Sequence, residues 1–325
     1  MNVLEENIFL ASKESFESLA LQLFDYQSKH NKVYKKYLDH LAIDPKTIKL
    51  VADIPLLPIE FFKSFEIKTE NFLPELTFLS SGTNDIGRSK HFVKNGGLYE
   101  KSFLTCYAHF FGQIRDTLVI AFLPNYLEQG NSSLVYMTKE LIKRSQNKNS
   151  GFYDYKEKNW STVIHETSKE QKIVILGVSY ALLDLAEKFP IKLPENTILM
   201  ETGGMKGKRK EMVREEMHQK LKEAFGLQRI YSEYGMTEIL SQAYSFGNGL
   251  FSCPPWMKVV CKNIYDPLGE NTNKKGRLGI IDLANVHSCC FLQTNDLGII
   301  YPNGMFEVLG RTDHSDLRGC NLMYT

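Results

Sequence analysis

Apolar positions along the chain follow two rhythms. Over residues 13–42, Phe16, Leu19, Leu23, Tyr26, Tyr34 and Leu38 recur at helical spacing among charged residues, which predicts helix. Ile54-Pro55-Leu56-Leu57-Pro58 ends that rhythm, because proline offers no N–H and fixes its own φ. Further on, unbroken apolar runs at 117–123, 172–177 and 197–200 predict short strands buried on both faces. Amphipathic stretches at 96–113, 131–143, from Val178 to about Lys188, and at 209–225 predict helices between them. Such alternation predicts an α/β fold, with mainly parallel sheets flanked by helices. Beyond Ser241 the pattern changes to β-like runs at 279–283 and 298–301 between Asn/Gly turns, a smaller β-rich part.

Composition narrows the function. A chain of 325 residues that is 43% hydrophobic can build a large core. With 39 basic against 38 acidic residues, no global field favours nucleic acid or an anionic membrane. The six cysteines show no C-x-x-C pair, which argues against a zinc site or a secreted disulfide framework. The acidic start Met1-Asn2-Val3-Leu4-Glu5-Glu6 does not read as a signal peptide, and no apolar run is long enough to span a membrane. The expected location is the cytoplasm.

Ligands of a parallel sheet sit beyond the carboxyl ends of its strands, so loops that follow predicted strands carry the candidate chemistry. After residues 72–79 comes Ser80-Ser81-Gly82-Thr83-Asn84-Asp85-Ile86-Gly87-Arg88-Ser89-Lys90. Its glycines let backbone N–H groups turn toward an anion, and its hydroxyls and cations suit a polyphosphate. A solvated Ser/Gly turn would read the same way. After 197–200 comes Glu201-Thr202-Gly203-Gly204-Met205-Lys206-Gly207-Lys208, which fails the P-loop spacing because Arg209 follows Lys208. After Arg229-Ile230-Tyr231-Ser232 comes Tyr234-Gly235-Met236-Thr237-Glu238. Gly235 lets a nucleobase approach the backbone, Tyr234 offers a stacking face, the Thr237 hydroxyl suits a phosphate oxygen and the Glu238 carboxylate suits Mg²⁺. The bland alternative there is a helix N-terminus with a favourable glutamate. Asp296 in Gln293-Thr294-Asn295-Asp296-Leu297-Gly298 could accept two ribose hydroxyls, and Arg311 in Gly310-Arg311-Thr312-Asp313 could meet phosphate or ribose.

In this order, the Ser-Ser-Gly-Thr, Tyr-Gly-Met-Thr-Glu, Asn-Asp and Gly-Arg-Thr-Asp motifs resemble the adenylate-forming superfamily of acyl-CoA synthetases, luciferases and adenylation domains. Pro55-Leu56-Leu57-Pro58 with Phe62-Lys63, Glu201-Thr202-Gly203-Gly204 and Asp316-Leu317-Arg318-Gly319-Cys320 resemble most closely the LuxE acyl-protein synthetases and their phenylacetate-CoA ligase relatives. The resemblance covers roughly residues 50 to 325. It implies an adenylation domain over 1–310, with a helical segment 1–50. It further implies that 311–325 are the hinge and stub of a truncated C-terminal domain. It also implies that Ser80, Ser81, Gly82 and Thr83 hold the β- and γ-phosphates of ATP, Thr237 the α-phosphate and Glu238 the Mg²⁺. Gly203, Gly204, Tyr234 and Gly235 would frame the adenine, and Asp296 and Arg311 the ribose. The family's phosphate loop usually continues Thr-Gly, whereas here Asn84-Asp85 follows Thr83.

The resemblance implies ATP- and Mg²⁺-dependent activation of a fatty acid to acyl-AMP, followed by acylation of a thiol. Cys320, two residues after Arg318, matches the acylated cysteine of LuxE-type proteins, and a reductase, acyltransferase or carrier protein would then take the acyl group. With the superfamily's C-terminal lysine outside this chain, Lys206, Lys208 and Arg311 are the candidate cations for adenylation. Two other readings remain open. One is an acid-thiol ligase using coenzyme A or a carrier-protein thiol. The other is a non-catalytic nucleotide-binding partner protein.

Overall fold

Asn31 divides the long N-terminal helical stretch in two. In the computed structural model, which describes residues 3–81, 87–124, 130–167, 170–204, 209–210, 212–264 and 275–312, α1 spans Val3–Ile8, α2 Phe16–His30 and α3 Lys32–His40. The Asn31 side chain accepts from the N–H of Val33 and of Tyr34 at 3.2 and 3.0 Å, capping α3. A short strand β1 (Leu57–Pro58) and a single helical turn α4 (Phe61–Ser64) follow. The chain divides into two units, one of residues 1–73 and 255–325, the other of residues 74–254.

The 74–254 unit opens with a ribbon in which β2 (Leu76–Leu79) pairs antiparallel with β3 (Lys90–Val93). Then come α5 (Gly96–Phe111), β4 (Leu118–Phe122), α6 (Ser133–Ser145), β5 (Gly151–Phe152) and α7 (Asn159–Glu166). They lead to β6 (Ile173–Val178), α8 (Ser179–Lys188), β7 (Thr197–Thr202), α9 (Arg214–Phe225), β8 (Tyr231–Tyr234), β9 (Ala243–Ser245) and β10 (Leu250–Ser252). Strands β5, β4, β6, β7 and β8 lie side by side and parallel; β9 adds antiparallel to β8, and β10 antiparallel to β9. Every residue of β4 and β6 is buried, as expected for strands covered on both faces. Phe122, Trp160, Ile175, Leu182, Leu199 and Leu221 belong to the core between this sheet and its helices. The sheet is therefore mixed, parallel from β8 to the edge strand β5 and antiparallel beyond β8.

In the other unit, β11 (Met257–Lys262), β12 (Lys275–Asp282), β13 (Phe291–Ile300) and β14 (Phe306–Arg311) form an antiparallel meander, and β1 adds parallel to β13. Gly279 is required here, because a β-carbon would stand 2.1 Å from Leu56 Cδ1. The buried Gln27 of α2 clamps the chain ahead of β13. Its Nε2 shares two protons among the carbonyls of Asn285, Val286 and Ser288, 3.0–3.3 Å away, and its Oε1 accepts from the N–H of Cys290 at 2.9 Å.

The helices expected at 96–113, 131–143 and 178–188 and the strands at 117–123, 172–177 and 197–200 are present, with ends shifted by a few residues. The helix expected from 209 begins at Arg214. Strand β3 and helix α7 carry too weak a periodicity to be read from the sequence.

Candidate functional site

The carboxyl ends of the adjacent parallel strands β7 and β8 carry the 74–254 unit's described candidate residues other than Ser80 and Ser81. Strand β7 ends in Glu201-Thr202 and leads to Gly203 and Gly204, both exposed, with Gly203 at φ +69°. Strand β8 ends in Glu233-Tyr234 and leads to exposed Gly235, then to a turn that holds Thr237 and buried Glu238. No helix starts there, so the helix-terminus alternative for Glu238 does not apply. Tyr234 is buried against Phe251, with ring centroids 5.8 Å apart, and Arg214 stacks on the same Phe251 ring. That packing limits how much of the Tyr234 face is available to a base.

Ser80 stands at the end of β2. Its N–H donates to the Ser89 carbonyl and its Oγ accepts from the Ser89 N–H at 2.9 Å, closing the ribbon at the base of the Ser/Gly loop. Arg88 Nε donates to the Ser80 carbonyl at 2.6 Å, so this cation anchors the loop's first residue. Ser81 is exposed beyond it. Gly82, Thr83, Lys206, Lys208 and Cys320 lie outside the described residues.

Sequence pattern marked neither His91 nor the pairing of Glu201 with Ser179, Arg214 and His218. His91, on β3, is 1% exposed and donates from Nδ1 to the Thr237 carbonyl at 2.7 Å. Burial pushes the imidazole down to about 4, against the opposing effect of that bond, so the ring is neutral. One contact thus joins the strand leaving the Ser/Gly loop to the Thr237–Glu238 turn. Glu201, 3% exposed, accepts from Ser179 Oγ at 3.2 Å and lies 3.4 Å from Arg214 Nε and 3.6 Å from His218 Nε2. Burial pushes its carboxyl up, but the hydrogen bond from His218, the Arg214 charge and the Ser232 hydroxyl outweigh it, and the net shift is downward. Ser179 Oγ shares its single proton between Glu201 and the nearer Gly203 carbonyl, 2.7 Å away, so the cluster sets the start of the Gly203–Gly204 loop. A lone His or Ser carries no such pairing signal in a sequence.

In the other unit, Asp296 on β13 and Arg311 on β14 are register partners. Arg311 Nε donates to Asp296 Oδ1 at 2.8 Å, with Asp296 buried and the Arg311 side chain 73% exposed. Among the described residues, no group of three or more His, Cys, Asp or Glu is arranged to hold a metal ion. A single buried carboxylate such as Glu238 suits Mg²⁺, which takes one or two protein carboxylates and completes its shell with substrate phosphates.

No protein-family model matches the chain, and no curated protein matches it in sequence. Solved structures do match in fold. ATP-bound MatB from Rhodopseudomonas palustris superimposes with a TM-score of 0.54 at 15% identity, over 74% of this chain and 49% of that one. A malonyl-CoA ligase ternary product complex with methylmalonyl-CoA and AMP gives 0.51 at 16% identity, over 74% and 53%. 2-Hydroxyisobutyryl-CoA ligase, in the postadenylation state with 2-HIB-AMP, gives 0.62 at 12% identity, over 95% and 70%. The fold is that of these adenylate-forming acid-CoA ligases. The chain spans about half the length of MatB and of the related chimeras it matches.

Proposed function

We propose that this chain activates a carboxylic acid as its acyl adenylate at the expense of ATP and passes the acyl group to a thiol. The observation that carries the reading is the His91–Thr237 contact. It ties the Ser/Gly loop's exit strand to the Thr237–Glu238 turn at the carboxyl edge of β7 and β8, in a fold shared with ATP-bound MatB.

In the first step a carboxylate oxygen of the acid attacks the α-phosphorus of ATP. The bond to the bridging oxygen breaks, and pyrophosphate leaves with the electron pair. Such a step needs positioning and charge neutralisation more than covalent chemistry. The Ser80–Thr83 loop holds the β- and γ-phosphates, and Thr237 the α-phosphate. Glu238 is the residue for Mg²⁺, which when bound neutralises phosphate charge. Gly203, Gly204, Tyr234 and Gly235 frame the adenine, and Asp296 and Arg311 keep the ribose role that the motif order implies. Charge developing on the α-phosphate must be met by a cation, and Lys206, Lys208 and Arg311 are the candidates in this chain. In the second step a thiolate attacks the acyl carbon and AMP leaves with the carboxyl oxygen. The LuxE resemblance makes Cys320 that thiol and a fatty acid the substrate. Coenzyme A or a carrier-protein thiol is the alternative acceptor.

Acid-dependent exchange of labelled pyrophosphate into ATP, in the presence of Mg²⁺, tests the reading. Exchange with any acid of a broad panel supports it. A chain that binds no ATP and exchanges with no acid overturns it.

A further inference from the structure

Residues 235–242, which carry Thr237 and Glu238, form the loop of the β8–β9 hairpin, closed by the register pair Tyr234–Ala243. They belong to no helix or strand, so no backbone ladder fixes their course. Within the loop, the Ile239 N–H donates to the Met236 carbonyl at 3.4 Å, a long bond. At the base of the hairpin, buried Glu233 accepts from Thr202 Oγ1, which ties β8 to β7. A carboxylate meant for a metal ion is oriented by the groups around it, and here those groups must come from outside the hairpin.

Three side chains from one continuous stretch of chain reach the loop. His91 on β3 holds the Thr237 carbonyl near its start. Ser102 and Cys106, four residues apart on α5, share a helix face and are both 0% exposed. Ser102 Oγ and Ser241 Oγ share a hydrogen bond of 3.1 Å. Cys106 Sγ donates to the Gln242 carbonyl at 3.2 Å. The loop is thus gripped near its start by β3 and at its end by α5, and Glu238 lies between the two grips. A hydroxyl buried in a helix face costs desolvation unless it is answered, and Ser102 finds its partner on this loop.

The gripping stretch is itself fixed. At the start of α5, Glu75 Oε2 accepts from the Gly96 N–H and Asn95 Oδ1 from the Gly97 N–H, both at 2.8 Å. Tyr99 of α5 packs edge-on against Phe78 of β2, with ring centroids 5.3 Å apart. β2 pairs with β3, and the Ser/Gly loop joins these two strands. One piece of structure therefore carries the base of the Ser/Gly loop and holds both ends of the loop that bears Glu238.

We propose that Ser102 and Cys106 are positioning residues for adenylation, which with His91 hold the β8–β9 loop so that Glu238 is set for Mg²⁺ and Thr237 for the α-phosphate. This rests on the reading of the chain as an acid-activating enzyme. Each acts through the loop and not on substrate, and a site held in this way needs little rearrangement when its ligand arrives.

The first measurement is amide hydrogen exchange by mass spectrometry on the full chain without nucleotide or Mg²⁺. Ser102→Ala should speed exchange in peptides covering 235–242 roughly fivefold, as expected for one lost neutral hydrogen bond, with peptides of β4 and β6 at wild-type rates. Cys106→Ala should act in the same direction, and Cys106→Ser, which keeps a donor, should act less. Thr138→Ala is the control. It deletes an equally buried hydroxyl, bonded to the Leu134 carbonyl at 2.7 Å within α6, and should leave the 235–242 peptides unchanged. The second measurement is pyrophosphate exchange. Ser102→Ala should raise the Mg²⁺ concentration for half-maximal rate several-fold and leave the KM of the acid unchanged, and Thr138→Ala should alter neither. Should Ser102→Ala fail to fold, Cys106→Ala against Cys106→Ser gives the same two readings. The inference is overturned if the 235–242 peptides exchange alike in wild type and Ser102→Ala, if Thr138→Ala speeds them as much, or if the Mg²⁺ dependence does not move. In those cases pyrophosphate exchange with acids continues and the adenylation reading stands. Absence of pyrophosphate exchange with every acid removes that reading, and with it the role in adenylation, whatever the amides show.

Discussion

The Thr237 carbonyl accepts a hydrogen bond from Nδ1 of His91, 2.7 Å away, across 146 residues of sequence. A carbonyl can only accept, so the ring carries its proton on Nδ1. The neutral ring is the form that its burial favours. This contact holds the backbone of the one turn that contains both Thr237 and Glu238.

Protonation of His91 is the first prediction. Its folded value of about 4 lies below the unfolded value near 6.5. The unfolded chain therefore binds more protons between these values. The stability that His91 contributes is full above about pH 6.5 and is lost as the pH falls toward 4. The loss is on the order of 3 kcal/mol. Chemical denaturation of wild type and His91→Asn across this range checks it, and the variant should show a shallower acid-side fall.

Glu238→Gln keeps the size and buried position of the side chain but removes its charge. Mg²⁺-dependent pyrophosphate exchange should fall about tenfold or more, as expected for a lost charge-assisted contact of about 1.5–3 kcal/mol. Circular dichroism should show an unchanged fold. Exchange at the wild-type rate would remove Glu238 from the site.

Glu201 answers Ser179, Arg214 and His218 at once. Glu201→Ala leaves those partners facing a buried void and should cost about 3–5 kcal/mol, readable in urea denaturation. The conservative Glu201→Gln should cost less. Because the folded carboxyl is held below its ordinary value, its contribution is present above the unfolded carboxylate range and lost as the pH falls through the folded one.

Arg311 separates stability from binding. Its side chain is 73% exposed, so its 2.8 Å pair with Asp296 is screened by solvent, and Arg311→Ala should change stability by less than about 1 kcal/mol. On the proposed ribose role, the same variant should raise the KM for ATP several-fold. A KM equal to wild type would detach this pair from the nucleotide.

Cys320→Ser tests the internal acceptor. With ATP, Mg²⁺ and a labelled acid that supports exchange, wild type should acquire hydroxylamine-labile label, seen by intact-protein mass spectrometry. The variant should still form acyl-AMP but remain unlabelled. Label retained on Cys320→Ser would place the acceptor elsewhere.

Local pattern was enough to specify the strands at 118–122, 173–178 and 197–202 and the helices between them. An apolar run buried on both faces and a 3.6-residue rhythm are properties of contiguous residues. The loops after those strands were legible for a similar reason, since Gly, Ser and Thr declare a flexible, hydroxyl-bearing backbone wherever they cluster. Other features depended on residues far apart in the chain. Asn31 became a helix cap as its amide also reached the Ser288 carbonyl at 2.8 Å. β3 has only four residues and gains its place by pairing with β2. Nothing local distinguishes His91, Glu201 or Glu233 from surface residues of the same type. Their burial was decided by the strands and helices that close over them, and in a dry interior each polar group must find its partner across space.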